Sequence, residues 1–578
     1  MKKTLITIAV GMFLAVVTGS VYAYQALRGP TELIQYNPAK AYNGYTLFRS
    51  GGDFTWMIDM EGNVVHTWPR TSNPQLLENG NILSGTQEFD WDGNIAWEFD
   101  DPREDYRYHH DRVRIFNPKL NAYTTLCIAN KSLSIEDCIA AGLDLTDPDK
   151  NYNNPSMDAI VEVDMDGNVV WEWWFFDHMV QDYDSTKAKY GVIADNVGKL
   201  DINFYTTKIN DLIHLNSIDY NPTLDQIVFG GPRNHEIYVI NHGGTFMPGD
   251  PEGSIALAAT EAGDFLWRWG NPQIYDQGEP TSYPPSGNAT DGDRQLAGMH
   301  DVQWIDDGLP GAGNIMIFNN GGYRPGRVSE ILEINPYDGP MQNGVYIPQL
   351  NAGTTIDNKG SRHIRNKSNQ NIWEFNTQNH DRFAKGMHSW HISGCARLPN
   401  GNTIMCAGED GHFVEVTYGD PQNGVLPEVV WEYINPVTKS GDIVSTLPFD
   451  VSNSTFRAYR YGPDYPGLAG KDLTPKGTIT GRPPVTVEQL VAAGTANMTL
   501  SHQLTAVAEA GWVEISGTAL LGETPLCIMV LANGEYMFTD AADGEYELVV
   551  PLDESGQITL FGFGDGFAPF TQTFDGGI

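Results

Sequence analysis

At 578 residues the chain is long enough for several domains, or for one large repeat architecture with an appendage. Its 61 glycines and 34 prolines disfavour long helices and favour many short strands and turns. Acidic residues outnumber basic ones 73 to 35, a formal net charge of −38; this argues against nucleic acid as a partner and requires that positive groups be concentrated locally if the substrate is an anion.

Residues 1–23 read as an export signal: Lys2 and Lys3 are its charged start, Leu5 to Val17 a short apolar core, and Val21-Tyr22-Ala23 a small-residue cleavage site. The apolar run is too short to span a bilayer comfortably, and no later segment is long and apolar enough for a transmembrane helix.

An aromatic phrase then recurs. A polar turn with Gly leads into apolar residues and ends on aromatic residues, in its full form a pair spaced by one. It ends at Trp68, at Trp97 and Phe99, at Trp171 and Trp173, at Trp267 and Trp269, at Trp373 and Phe375, and at Trp431 and Tyr433. Between copies lie strand–turn–strand phrases such as Leu77 to Leu83 and Leu398 to Ile404, so one unit holds about four strands. Six such units predict an all-β fold, a six-bladed β-propeller, over residues 24–480.

Three histidines share one offset from a strand-ending turn. His110 stands seven residues before Asn117-Pro118, His214 seven before Asn221-Pro222, and His300 seven before Asp307. On inner strands they would converge at one channel mouth; the matching residues before Asn79 and Asn400 are Ser72 and Ser393. The segment Gly386 to His391 adds His388 and His391 near the ring.

Phe456 to Pro466 looks like a closing loop, and residues 481–505 read as a linker with one helix near Val487–Ala493. Residues 506–578 read as a small C-terminal β-sandwich module, with turns at Asn533-Gly534 and Asp543-Gly544. Of five cysteines, Cys127 and Cys138 close a short loop and are the better disulfide pair. Cys395 and Cys406 flank Asn400-Gly401 symmetrically and stand equally as a cross-strand disulfide or two thiols, and Cys527 is left over.

Three imidazoles in one cavity allow a metal site, nucleophilic catalysis with acid–base help, or a structural role. No carboxylate pattern here resembles a ligand motif, so no metal is expected. Arg233 follows the His214 strand across a turn; a guanidinium beside the cluster would clamp a sulfate- or phosphate-like oxyanion and repel a dication.

His109-His110-Asp111, His214-Leu215-Asn216-Ser217, Arg233, His300-Asp301-Val302-Gln303-Trp304, Tyr45 to Phe48, Ser393 to Asn402 and Phe456 to Pro466 together resemble the bacterial arylsulfate sulfotransferases, over roughly residues 36–480. The resemblance implies a periplasmic enzyme that moves a sulfuryl group from an aryl sulfate to a phenol, without the nucleotide sulfate donor and with no cofactor. It implies His300 as the residue that becomes sulfohistidine in a ping-pong cycle, and His110, His214 and Arg233 as ligands of the sulfuryl oxygens. One of His110 and His214 would also protonate the leaving phenolate. Asn216, Ser393 and His391 are the expected substrate-side residues, and a homodimer is possible in such a family. The alternatives are an aryl sulfate hydrolase and a non-catalytic ligand-binding propeller.

Overall fold

The computed structural model describes residues 31–481, apart from residues 70, 148–150, 205–210, 283–288, 323–328, 338–340, 343–344, 347–349, 359–360, 369, 377–388, 421–424, 446 and 448–450, together with the strands between 499 and 575. The leader, the helix expected near 487–493, the turns expected at 533–534 and 543–544, and His388 lie outside the described residues.

Six antiparallel sheets form a six-bladed propeller. From channel to rim the first blade is Ala458–Tyr461, Tyr45–Arg49, Phe54–Ile58 and Val64–Pro69. The second is Gln75–Leu76, Ile82–Ser84, Gln87–Phe89 and Ile95–Glu98; the third is Tyr106–Asn117, Ala122–Ser132, Ser156–Asp164 and Val169–Trp174. The fourth is Ser217–Asn221, Gln226–Gly231, Glu236–Asn241 and Trp267–Trp269; the fifth is His300–Trp304, Ile315–Asn319, Glu330–Ile334 and Asn371–Asn376. The sixth has five strands: Gly394–Arg397, Thr403–Ala407, His412–Val416, Val429–Ile434 and, on its outer edge, Glu32–Tyr36.

The ring is closed twice. Glu32–Tyr36 pairs with Val429–Ile434 of the last blade, and Ala458–Tyr461 pairs with Tyr45–Arg49 of the first. The segment expected as a closing loop therefore contains the innermost strand of the first blade.

Middle strands are apolar on both faces because each face meets a neighbouring blade; Ile315–Asn319 is buried throughout. The core is thus six wedges, one per seam. Between the third and fourth blades Trp171, Trp173 and Phe229 pack together, and between the sixth and first Phe48, Phe413 and Trp431 do.

The recurring aromatic phrase marks the fourth strand of every blade, counted from the channel, and its indole joins one blade to the next. A buried tryptophan must satisfy its N–H. Trp68 donates to the Asp90 carbonyl at 3.1 Å, Trp97 to Met165 O at 3.1 Å, and Trp171 to Thr245 Oγ1 at 3.0 Å. Trp269 donates to Ser368 Oγ at 3.3 Å, Trp373 to Tyr418 O at 2.9 Å, and Trp431 to Met60 O at 2.9 Å. Each acceptor lies in the stretch of chain that builds the following blade, Ser368 in a strand inserted between the third and fourth strands of the fifth, so the six bonds run once round the ring. Trp431→Phe keeps an aromatic ring but strands the Met60 carbonyl at the closing seam. It is expected to lower unfolding free energy by about 1–3 kcal/mol in urea titrations.

The expected Cys127–Cys138 disulfide is not formed, and of the two readings of Cys395 and Cys406 the free thiols hold: all four cysteines are free and buried. The hairpin pairs Cys395 with Met405 and Gly394 with Cys406, one residue off the symmetric register. That single step turns the two thiols to opposite faces of the sheet. Cys395 packs in the wedge toward the fifth blade and Cys406 in the wedge toward the first.

Beyond the propeller the C-terminal region is two antiparallel sheets. One is centred on Trp512–Leu521 and includes Glu545–Pro551; the other runs Glu535–Asp540, Cys527–Ala532, Gln557–Phe563, Phe570–Asp575. Val513, Ile515, Ile558 and Leu560 are buried within this all-β region.

Candidate active site

Inner strands enter the channel through a kink. His110, His214 and Asp301 have φ of 50°, 59° and 52°, and Asn73, Ile392 and Ser393 also lie in the left-handed region. The ladder is interrupted opposite His110 and again between His300 and Gln303. Such bulges bend a strand and re-aim its side chains. Here they gather side chains of the third, fourth and fifth blades at one mouth.

The rings of His110 and His214 meet edge to face, 4.6 Å between centroids. His300 lies deeper, 6% exposed, and near enough to both that a charge on either disfavours one on His300. Its Nδ1 is 2.8 Å from Asn320 Oδ1. Asn320 Nδ2 donates to the Ser389 carbonyl at 2.8 Å and the Ile392 carbonyl at 2.9 Å, which fixes the amide orientation. The Asn320 oxygen therefore accepts, and His300 Nδ1 carries the proton. The lone pair is left on Nε2, where the Ile392 N–H shares it at 3.1 Å.

Burial holds the His300 pKa well below the usual histidine value; the Asn320 bond opposes this, while Arg457, His110 and His214 reinforce it. Burial, then His214 and His109, bring His110 down to about 3. Both rings are neutral at neutral pH.

Beneath them Arg457 forms a charged floor. Its Nη1 lies 2.8 Å from Asp111 Oδ2, its Nε 3.1 Å from Asp301 Oδ1, and its Nη2 donates to the Asn216 carbonyl at 2.9 Å. Asp111 and Asp301 directly follow His110 and His300, so one guanidinium ties down the backbones of two of the histidines. Asp301 also accepts the Cys395 N–H at 2.8 Å, and Asp111 the Ile218 N–H at 3.2 Å. Burial pushes Asp301 up to about 6 even beside this cation.

The other expected residues fall as follows. Arg233 pairs with Asp211, which accepts from His214 Nδ1 at 2.7 Å, so Arg233 reaches the cluster through a carboxylate. Asn216 donates to the Met299 carbonyl at 2.8 Å, holding the backbone ahead of His300 rather than its ring. The Ser393 hydroxyl bonds Ser389 Oγ at 2.8 Å and accepts the Gly408 N–H at 2.9 Å. His391 stands largely in solvent against Glu409. Asn320 and Arg457 were not singled out from sequence. Asn320 sits in an unremarkable Asn-Asn-Gly-Gly turn, and Arg457 was visible only as part of the closing segment.

A cavity of about 220 Å³ opens beside His110, lined by Ser72, Thr86, Tyr108, His109 and Ile128. A larger one, about 770 Å³, lies where the inner strands end, at the opposite mouth, against Tyr459, Tyr461, Asp219 and Asp306. His109 and His110 line the smaller cavity, and no histidine lines the larger. Among the described residues no group of three or more His, Cys, Asp or Glu is placed to hold a metal ion.

In comparison with known proteins, no curated protein matches the chain. Among solved structures, the Hsv2 protein of Kluyveromyces marxianus is 10% identical, covers 68% of this chain and 83% of its own, and has a TM-score of 0.23. A protein described as a 6-phosphogluconolactonase from Bacteroides uniformis is 9% identical over 92% of this chain and all of its own, with a TM-score of 0.20. The model of the family Arylsulfotransferase (ASST) matches residues 31–432, nearly the whole propeller. The chain belongs to the arylsulfotransferase family.

Proposed function

We propose that this protein transfers a sulfuryl group from an aryl sulfate to a phenol by a ping-pong mechanism through His300 Nε2. The observation that carries this reading is the Asn320 clamp, which keeps the proton on Nδ1 and the lone pair on Nε2 of a neutral, buried ring. A neutral imidazole is both a competent nucleophile and a good leaving group, as two successive transfers require.

In the first half-reaction Nε2 bonds to sulfur as the sulfur–aryl oxygen bond breaks, and the departing phenolate takes a proton from His110 or His214. The ring, still protonated at Nδ1, then carries the sulfuryl group as an overall neutral zwitterion. A second phenol gives its proton to the same base, attacks sulfur and frees Nε2. Arg457 and Arg233 supply the positive field that the anionic ester needs in a chain of net charge −38. The cavity beside His110 offers room for the aryl ring. Export to the periplasm, with residues 1–23 removed, completes the proposal; amino-terminal sequencing of the exported protein checks it.

The test is trapping. Incubation with p-nitrophenyl sulfate and no acceptor is expected to give a nitrophenol burst of about one equivalent. The peptide containing His300 is expected to gain one SO₃. Adding phenol then restores steady turnover. Turnover that ignores phenol indicates hydrolysis, and no burst and no adduct would sink the covalent intermediate.

A further inference from the structure

His109 has no part in the scheme above, yet it is wired to it. Its Nε2 lies 3.0 Å from Asp158 Oδ1, and its Nδ1 lies 2.7 Å from Nδ1 of His110. Asp158 is buried and its second oxygen accepts the Leu215 N–H at 3.2 Å, so it stays as an acceptor of fixed orientation. With Asp158 accepting from His109 Nε2–H, one proton occupies the short contact between the two Nδ1 atoms. In the neutral pair it sits on His110, whose Nε2 then has the free lone pair.

From this chain of three groups we infer that Asp158 and His109 form a proton relay behind His110, making His110, rather than His214, the acid–base group of sulfuryl transfer. The inference rests on the transfer reading above. His110 is faced by His109 and Asp158 of its own blade, His214 at the entry to the fourth and Arg457 just ahead of the closing strand, and this desolvated surrounding makes it a poor place to keep a proton. The relay removes the difficulty. When His110 Nε2 takes the acceptor phenol's proton, the Nδ1 proton passes to His109 Nδ1. The charge rests on an imidazolium paired with the Asp158 carboxylate, away from Arg457. The donor half-reaction starts with the pair carrying that extra proton, taken from water before the first turnover and from the acceptor phenol thereafter: His109 gives it to His110 Nδ1, and His110 Nε2–H goes to the leaving phenolate. One proton is taken up and one released per cycle, and the pair ends as it began.

His109 is thus a positioning residue, and leaving-group chemistry tests it. Nitrophenolate leaves without a proton, whereas phenolate needs one. His109→Phe is expected to lower kcat/KM for phenyl sulfate by about 100-fold or more, and for p-nitrophenyl sulfate by less than about tenfold. Asp158→Asn is expected to show the same asymmetry and replaces the first variant if that one fails to fold. Equal losses on both esters, or no loss on either, overturn the relay while leaving sulfuryl transfer standing. A wild-type protein that turns over neither ester overturns the reading beneath it.

Discussion

Nitrophenol release from p-nitrophenyl sulfate is expected to fall by about four to six orders of magnitude in His300→Ala, the scale lost when a covalent nucleophile is removed. His110, His214 and both arginines remain, so the donor should still bind and KM should change little. Truncation leaves the Asn320 oxygen and the Ile392 N–H without their partner. Some loss of stability follows, about 1–3 kcal/mol for an unmet buried group, and melting curves separate it from the kinetic effect. His300→Ala protein that is folded and still releases nitrophenol at the wild-type rate would move the nucleophile elsewhere.

The same burial predicts the pH behaviour. Both His300 and His110 have folded pKa values below their unfolded ones. The unfolded state therefore binds protons that the folded state refuses, and these two groups contribute stability that is complete above pH about 6.5 and lost as pH falls below it. A decline in rate between pH 8 and 6 cannot be protonation of His300, which stays neutral across that range.

The blade count and the histidine mouth were legible because each leaves a periodic mark. Aromatic residues recur on the fourth strand since every seam needs the same buried indole and the same N–H bond across it. The histidine offset recurs since each inner strand runs from one mouth to a turn at the other. Counting along the chain does not see a backbone kink, however. His110 and His214 occupy the left-handed position itself, while His300 precedes it and Asp301 occupies it. This is why His300 lies deeper than the other two. Registers were also out of reach: a one-residue difference at Asn400-Gly401 decides whether Cys395 and Cys406 face each other. Least legible were the partners that matter through space alone. Asn320 and Asp158 are ordinary turn and strand residues until folding sets them against imidazole nitrogens. Arg457 meets Asp111 across 346 residues of chain.

Arg457→Met is expected to be the most destabilising single change in the channel. It removes one cation from between two buried carboxylates, and breaking such a pair costs about 3–5 kcal/mol because the partner charges stay behind. The loss should depend on pH in a defined direction. Asp301 already sits at about 6 in the folded protein, above its unfolded value. Without Arg457 the Asp301 carboxyl rises further, so the folded variant holds a proton that the unfolded chain does not. Stability is then kept at low pH and lost as pH climbs through the raised value. The gap in melting temperature between wild type and variant should therefore be widest near pH 8 and narrow toward pH 5. Adding Asp301→Asn to Arg457→Met should recover part of the gap at pH 8, since it deletes one of the two unpaired charges. A gap that stays constant from pH 5 to 8, or a double variant no better than the single, would show that Arg457 acts through packing alone. The floor's electrostatic part in aligning His110 and His300 would then fall with it.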